Sequence, residues 1–462
     1  MESMQLEEIM EAVQGTLVQG VHSNIRITGV SIDSRKVRQG DLFFAFHGKR
    51  VDGHDYLEQA FEQGAVGAVI SRPVAVQTEA TLIMVSDPLK ALQDLARCYR
   101  NLYKIRVVAV TGSTGKTTTK DLVAGVLGKR FKVLKTTGNY NNEIGLPLTL
   151  LQLNSSHQVA VLEMAMRGPG EITLLCEISR PEVGVITNIG ESHMELLGSQ
   201  KAIALAKGEL LNFLPADGCA VLHAQDPWQV KLAEKVSGEV ILYGAGDGCQ
   251  ISASQVVVHD LRGVDFNLCT PAGQTHCFLP LPGAHNVTNA LAAAAVGYRF
   301  GLTPEEIAAG LESASLTGMR LEVKSGINGT RLIDDSYNAS PASTKAALEL
   351  LSESGGTRTI AVLGEMYELG EETVHGHQGV GVRAAELKID CLCTVGQLAQ
   401  EIAAGALRAG LDQERVHVFR EKSEAVSFLR KYIQDGDVVL IKGSRGMQME
   451  EITASLQDGD HR

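Results

Sequence analysis

The segment from Val107 to Thr118, VVAVTGSTGKTT, is an apolar run that ends in two glycines, a lysine and several hydroxyl residues. It reads as a strand, a glycine-rich turn and the start of a helix, whose N–H groups and positive dipole end attract phosphate oxygens. On that reading Gly112, Ser113, Thr114 and Gly115 form the turn, and Thr118 lies at the helix start. Lys116 reaches the β- and γ-phosphates of ATP, and the Thr117 hydroxyl meets Mg²⁺. The strict phosphate-loop pattern, GxxxxGK followed by Ser or Thr, needs a glycine where this chain has Val110, so the match falls one position short. A purely structural glycine turn suits the same segment. Glu163 closes VAVLE, His193 follows VITNIG, and Lys207 lies farther on in ALAKGE. In a parallel sheet the carboxyl ends of the strands share one crevice, where a carboxylate and an imidazole can hold Mg²⁺ against transferred phosphates. A hydrogen-bonded structural role suits either residue, and a solvated helix face suits the lysine.

Further polar residues cluster in predicted turns. TTGNYNNEIGLP carries Asn139, Asn141 and Asn142, which suit a turn as well as a ligand. In GAHNVTNALAA, Asn286 and Asn289 stand three apart at a predicted helix start, where one can cap and the other face a ligand. Arg320 precedes RLIDDSYNASPAS, in which Asp334 and Asp335 end a strand and Pro341 opens a helix. A strand-end carboxylate can grip ribose hydroxyls and Tyr337 can stack on a base, although turn and capping chemistry use the same residue types. VLIKGSRGMQMEE sets Lys442, Ser444 and Arg445 after an apolar strand, suited to a carboxylate or phosphate, or to a solvated basic turn. No Ser-His-Asp or Cys-His pattern calls for a covalent enzyme intermediate.

The elements that must position these residues divide the chain of 462 residues into three expected domains, 1–103, 104–315 and 316–462. The first opens with an amphipathic helix at Leu6, Ile9, Met10 and Val13 and continues as a small α/β unit. From Ile105 the apolar strands VVAVTG, VAVLEM, VGVITNI and CAVLH alternate with helical patterns, as in a parallel sheet buried on both faces. A Gly-rich, β-forming stretch from 240 to 283 extends that domain as hairpins, and a boundary falls between Ser315 and Arg320. Beyond it TIAVLGEM, CLCTVG and DVVLIKGS again alternate with helices, so the third domain reads as Rossmann-like α/β. With 42 Lys and Arg against 54 Asp and Glu, the net charge of −12 disfavours extended nucleic-acid binding, and any anion must be held locally. The acidic start and the absence of a long apolar run predict a cytoplasmic protein without membrane insertion. Eight cysteines without metal spacing read as reduced thiols, with Cys391 and Cys393 on one face of a strand.

Taken in order, TGSTGKTT, GNYNNEIGLP, LEMAMRGPGEI, TNIGESHMELLGS, ALAKGE, GAHNVTNALAA, DDSYNASPAS, VLGEMYELG and VLIKGSRGMQME resemble the Mur ligase family, with coverage from SIDSRKV to Glu450. That family's own loop resembles TGxxGKT, which accounts for the glycine missing at Val110. DDSYNASP and KGSRGMxME resemble the branch that joins D-alanyl-D-alanine to UDP-N-acetylmuramoyl-tripeptide, rather than the ligase of the third stem residue or folylpolyglutamate synthase. The resemblance implies a UDP-sugar domain, a central ATPase and a C-terminal domain, acting through an acyl phosphate; separately, with no coiled-coil seam in the sequence, a monomer is expected. It also implies two Mg²⁺ sites, one held by Thr117 and Glu163, the other by His193 and Lys207 as an N-carboxylated lysine. By the same resemblance Asn289 meets adenine, Arg320 the γ-phosphate, Asp335 the ribose and Tyr337 the base, while Asn139 and Asn142 border the ATP and substrate clefts. Ser31, Asp33, Ser34, Arg35, Gly53 and His54 are the expected UDP-sugar neighbours. Glu365, in LGEMYELG, stands where the family more often resembles LGDM.

Overall fold

In the computed structural model, which describes residues 1–20, 25–48, 51–76, 80–190, 194–246 and 248–458, the strand Arg106–Thr111 enters the glycine turn and the helix Lys116–Leu127 leaves it. Five of the six residues of that strand are buried, as a sheet covered on both faces requires. The strand lies inside a nine-stranded sheet, flanked by Val183–Ile186 and Val159–Glu163, with Val133–Lys135 at the near edge, all parallel. From Arg106–Thr111 the chain goes to that edge, returns through Val159–Glu163 and crosses to Val183–Ile186. The strand order therefore reverses beside the glycine turn, where such a sheet opens its ligand crevice.

Beyond Val183–Ile186 the sheet continues through Cys219–His223, Glu239–Gly244 and Ile251–His259 to Gly263–Thr270 and Gly273–Leu279, the last two pairings antiparallel. The expected hairpins thus extend the central sheet. The helices His285–Arg299 and Pro304–Glu312 pack against Lys116–Leu127 and close one face.

The N-terminal unit holds a five-stranded sheet in the order Thr16–Gln19, Thr81–Met84, Gly67–Ile70, Asp41–Phe44, Gly29–Ser31. Its last helix, Pro88–Asn101, is capped by the Asp87 side chain and packs on the central helices Gly145–Leu150 and Glu171–Ser179. A single apolar cluster runs from Leu6 and Leu92 to Leu150 and Leu175, so the first two units share a core.

The C-terminal sheet has six strands, Glu322–Ser325, Arg331–Asp335, Val438–Lys442, Thr359–Leu363, Cys391–Val395 and Val416–Phe419, parallel except for the first pair. Cys391 and Cys393 share a face, with their sulfurs 3.8 Å apart. Leu261, in the turn between two strands of the central sheet, is buried in the C-terminal cluster with Ile333 and Leu351. Among the described residues no helix is long and apolar enough to cross a membrane.

Candidate functional site

The turn between Thr111 and Lys116 is tight enough to exclude side chains at both glycines. Gly112 has φ +147° and a Cβ there would lie 1.9 Å from Thr187 Oγ1; Gly115 has φ +76° and a Cβ would lie 2.6 Å from Asn289 Oδ1. The segment after Val183–Ile186 braces the turn. Asn188 Oδ1 accepts from the backbone N–H of Ser113 (3.1 Å) and of Thr114 (2.9 Å), while the Thr187 hydroxyl donates to the Thr114 carbonyl at 2.6 Å. The amides of Ser113 and Thr114 are therefore committed to Asn188, and the donors left without an intrahelical partner are those at the start of Lys116–Leu127.

Strand Val159–Glu163 ends beside that helix start. The Thr117 hydroxyl donates to Glu163 Oε2 at 2.7 Å, and the Asn141 amide donates to Oε1 at 2.7 Å. Glu163 is 2% exposed, and among the described residues it forms no ion pair. A buried carboxylate held only by neutral donors has charge left to offer a hard cation, and a threonine hydroxyl beside it supplies a second oxygen ligand. These two residues fit Mg²⁺, which takes few protein oxygens and completes its shell with water and phosphate.

Two lysines converge on the same turn. Lys116 Nζ folds back to the carbonyls of Gly112 (2.8 Å) and Ser113 (3.3 Å). Its pKa is lowered mainly by burial, opposed by Glu163 and reinforced by Arg320. Lys207, on the helix Gln200–Asn212, is 1% exposed, and its Nζ donates to Gly112 O at 3.1 Å. Burial, and then the charge of Lys116, hold its amine well below the usual lysine range. His193 lies outside the described residues.

The C-terminal unit adds an arginine. Arg320 Nη2 donates to Thr117 Oγ1 at 2.8 Å, and its guanidinium carbon stands 4.1 Å from the centre of the Tyr337 ring. Its Nε is buried without a hydrogen-bond partner, so the guanidinium has a donor to spare for an anion. The flanking residues Met319 (φ +61°) and Leu321 (φ +50°) both adopt left-handed backbone to present it. Asn286 Nδ2 donates to Pro282 O at 2.8 Å, and Asn286 Oδ1 accepts from Asn289 Nδ2 at 3.0 Å, which holds Asn289 over Gly115. Asp335 faces Lys442 across paired strands and binds its ammonium, which also donates to Asn338 O at 2.9 Å. Ser444 Oγ accepts from the Tyr367 amide at 2.8 Å, and Arg445 pairs with Glu450. Glu365 Oε1 accepts from the Leu398 amide at 2.9 Å and its carbonyl from that of Ser444, also at 2.9 Å.

The N-terminal turns satisfy one another. Ser31 Oγ donates to Asp33 O at 2.9 Å, Asp33 holds the Arg35 guanidinium through two contacts of 2.9 Å, and Ser34 donates to Gln59 at 2.7 Å. His54 Nδ1 meets Asp52 at 2.6 Å and its Nε2 accepts from Ser71 N, so both ring nitrogens are engaged; Gly53 donates its N–H to Phe46 O.

Three family descriptions match this chain: "Mur ligase family, catalytic domain" over residues 26–100, "Mur ligase middle domain" over 110–297, and "Mur ligase, glutamate ligase domain" over 319–445. The chain belongs to the Mur ligase family. It is 42% identical over 453 residues to the UDP-N-acetylmuramoyl-tripeptide–D-alanyl-D-alanine ligase of Bacillus subtilis, covering 98% of each chain. With the ligase of the same name from Escherichia coli it shares 35% identity over 99% of each. Among solved structures, MurF from Acinetobacter baumannii superposes with a TM-score of 0.89 at 32% identity, over 98% of this chain and 99% of that one. MurF from Thermotoga maritima in complex with ADP superposes with a TM-score of 0.80 at 28% identity, over 92% and 96%.

In this Mur ligase the structure gathers the glycine turn, Lys116, Thr117, Glu163, Lys207, Asn289, Arg320 and Tyr337 in one place. The structure decides between several readings that the sequence leaves open. Asn286 does not cap its helix, because its amide holds the carbonyl of Pro282 four residues back. Lys207 is not on a solvated face, because its helix turns that side into the sheet. Asn142 is turned inward, its Oδ1 accepting from Ile144 N and Gly145 N at the start of Gly145–Leu150, while Asn139 is exposed. The asparagine that reaches the carboxylate is Asn141, and the one that braces the turn is Asn188; the sequence marks either only as a polar residue just after an apolar strand.

Proposed function

We propose that this chain is the ATP-dependent ligase that joins D-alanyl-D-alanine to UDP-N-acetylmuramoyl-tripeptide, working as a monomer in the cytoplasm. The observation that carries the reading is the meeting of Thr117, Glu163, Lys116 and Arg320 at a helix start beside the reversal in strand order. Phosphoryl transfer to a carboxylate needs positioning and charge neutralisation rather than a protein nucleophile, so the attacking group comes from a substrate. The tripeptide carboxylate attacks the γ-phosphorus, forming an acyl C–O–P linkage as the bond to ADP breaks. The dipeptide amine then attacks the acyl carbon, and the tetrahedral intermediate expels phosphate as the amide forms.

Each residue then has a part. Lys116 and Arg320 neutralise charge on the β- and γ-phosphates as it shifts during transfer. Thr117 and Glu163 would hold one Mg²⁺, which would supply positive charge to offset that of the phosphates. Gly112 to Thr118 wrap the phosphates, Asn286 steadies Asn289 against adenine, Asp335 takes the ribose and Tyr337 borders the base. Lys207 serves a second cation site with His193. Its desolvated neutral amine is the form that adds CO₂, giving a carbamate and releasing one proton, and so becomes an oxygen ligand. Asn139 and Asn142 border the clefts, and Lys442, Ser444 and Arg445 line the dipeptide side. The turns around Ser31–Arg35 and Gly53–His54 meet the UDP-sugar.

The test is phosphate release from MgATP with D-alanyl-D-alanine and UDP-tripeptides carrying meso-diaminopimelate or lysine, with mass spectrometry on the product. Release that needs both substrates, and a product heavier by the dipeptide less water, is the expected result. Release without either substrate, or only with a folate or a free amino acid, overturns the reading.

A further inference from the structure

Four residues beyond Lys116 the same helix buries a second pair of charges that the phosphoryl-transfer scheme does not use. Lys120 and Asp121 are 0% and 1% exposed, with Nζ 3.0 Å from Oδ1. Removing two charges from water costs more than their attraction returns unless every remaining lone pair and proton is satisfied. Here the satisfying partners lie on two different parts of the site. Lys120 Nζ donates to Thr136 O at 2.9 Å, and Thr136 Oγ1 accepts from the backbone N–H of Glu163 at 3.0 Å. Asp121 Oδ2 accepts from both the N–H (2.8 Å) and the hydroxyl (2.7 Å) of Thr317, while Oδ1 binds Lys135, which also holds Ser315 O at 2.8 Å.

Thr317 belongs to the strand-free link between the central helix Pro304–Glu312 and the C-terminal strand Glu322–Ser325. Three residues later that link delivers Arg320 to Thr117. The contacts close a ring: Thr117 to Glu163, Glu163 to Thr136, Thr136 to Lys120, Lys120 to Asp121, Asp121 to Thr317, and from Arg320 back to Thr117. We infer that the Lys120–Asp121 pair is a positioning element, which pins the interdomain link at Thr317 and so registers the Arg320 guanidinium on the phosphate side of Thr117. The inference rests on the ligase reading above and assigns that reaction two positioning residues outside the nucleotide contacts. The left-handed backbone at Met319 and Leu321 sharpens the argument, because a link with two such residues holds its course only while its ends are fixed.

The experiment is a double-mutant cycle on full-length protein with Thr317→Val, Arg320→Ala and both together, following phosphate release in the presence of the two substrates, ADP affinity and thermal midpoint. Thr317→Val keeps shape and the N–H donor but removes the hydroxyl. It is expected to lower kcat roughly ten- to a hundredfold, the scale of a misplacement near 1 Å, with ADP affinity nearly unchanged and the thermal midpoint lowered as Asp121 loses one donor. Thr317→Ser should recover most of that loss. In the Arg320→Ala background, Thr317→Val should cost no more than about twofold, because the group it positions is gone. The same fold-loss in both backgrounds, or a Thr317→Val enzyme as fast as wild type, overturns the inference while leaving the ligase reading intact. If Thr317→Val fails to fold, Thr317→Ala, which also keeps the N–H and removes the hydroxyl, replaces it in the cycle under the same criteria. Wild-type protein that releases no phosphate with either tripeptide removes the ligase reading and this inference with it.

Discussion

The guanidinium of Arg320 donates to the hydroxyl of Thr117 at 2.8 Å across 203 positions of sequence, joining the C-terminal unit to the start of the helix Lys116–Leu127. That hydroxyl at the same time donates to Glu163. A single threonine oxygen is thus the point at which a cation from one domain and an anion from another strand meet. On the proposed ligase reading, γ-phosphate and Mg²⁺ would meet Arg320 and Glu163 already gathered at that point, leaving little reorganisation for the transfer step.

Removing the guanidinium should therefore separate two nucleotides. Arg320→Ala is expected to lower kcat by roughly a hundredfold or more, the cost of losing one preorganised donor to developing charge. ADP, which lacks the γ-phosphate, should bind within about threefold of its wild-type affinity. Calorimetry with ADP alongside steady-state rates checks this, and an equal loss in both would mean that Arg320 serves binding in general.

Asn188 allows a different prediction. Its amide oxygen takes two turn N–H groups at once, so Asn188→Ala strips the Thr114 N–H of its acceptor, at about 1–3 kcal/mol, while the Ser113 N–H keeps the main-chain carbonyl of residue 188 at 3.0 Å. The turn should loosen, raising KM for ATP about tenfold or more with a smaller change in kcat. If KM instead falls, the Thr114 amide is freed to serve the nucleotide, and Asn188 is a competitor rather than a brace.

How much of this was legible beforehand follows from the range of each interaction. Gly112, Gly115 and Lys116 stand within five residues of one another after an apolar run, and local backbone chemistry suffices to read them. The Gly-rich stretch after residue 240 likewise announces its hairpins through turn residues. Asn141 and Asn188 gain their partners only when separate strands align, and no spacing in one sequence distinguishes Asn141 from Asn139 or Asn142. Lys207 shows the same limit in burial: its helix has no strong apolar stripe to mark which side turns inward, so a core lysine reads like a surface one. The docking of Leu261 into the C-terminal core is a tertiary event with no local signature.

The thiols give a check on the domain cores. Cys219 and Cys277 are buried and their pKa values pushed up to about 12, chiefly by burial and further by Glu239 and Glu312 respectively. The thiolate is the reactive form, so at pH 8 about one such thiol in ten thousand is reactive even before access is considered. Cys249 and Cys269 are partly exposed. Iodoacetamide at pH 8 is expected to label these two first and to reach Cys219 and Cys277 only on unfolding, as peptide mass spectrometry can follow. Raising the pH to 9 lifts the buried thiolate fraction only to about one in a thousand, so early labelling of Cys277 would mean that the central hairpins open.

On the proposed carbamate reading, Lys207 would govern the acid limb of the pH profile. Burial and Lys116 hold its pKa well below the ordinary lysine value, so the native protein favours the neutral amine. For a group lowered in this way, the unfolded chain binds the extra proton between the folded and unfolded values; the stability linked to the neutral form is complete above the unfolded pKa and is lost as pH falls through the folded one. Only the neutral amine adds CO₂, so a carbamate at Lys207 would be lost as pH falls below the folded pKa, where that stability is already gone. Added bicarbonate is accordingly expected to shift the acid limb of the kcat profile to lower pH in wild-type protein, since mass action opposes loss of CO₂. Lys207→Ala should reduce turnover at least about a hundredfold, and a short carboxylic acid entering the vacated space should restore part of it by supplying the missing oxygens. Full activity in Lys207→Ala, or an acid limb that ignores bicarbonate, would leave Lys207 as a structural amine on the carbonyl of Gly112.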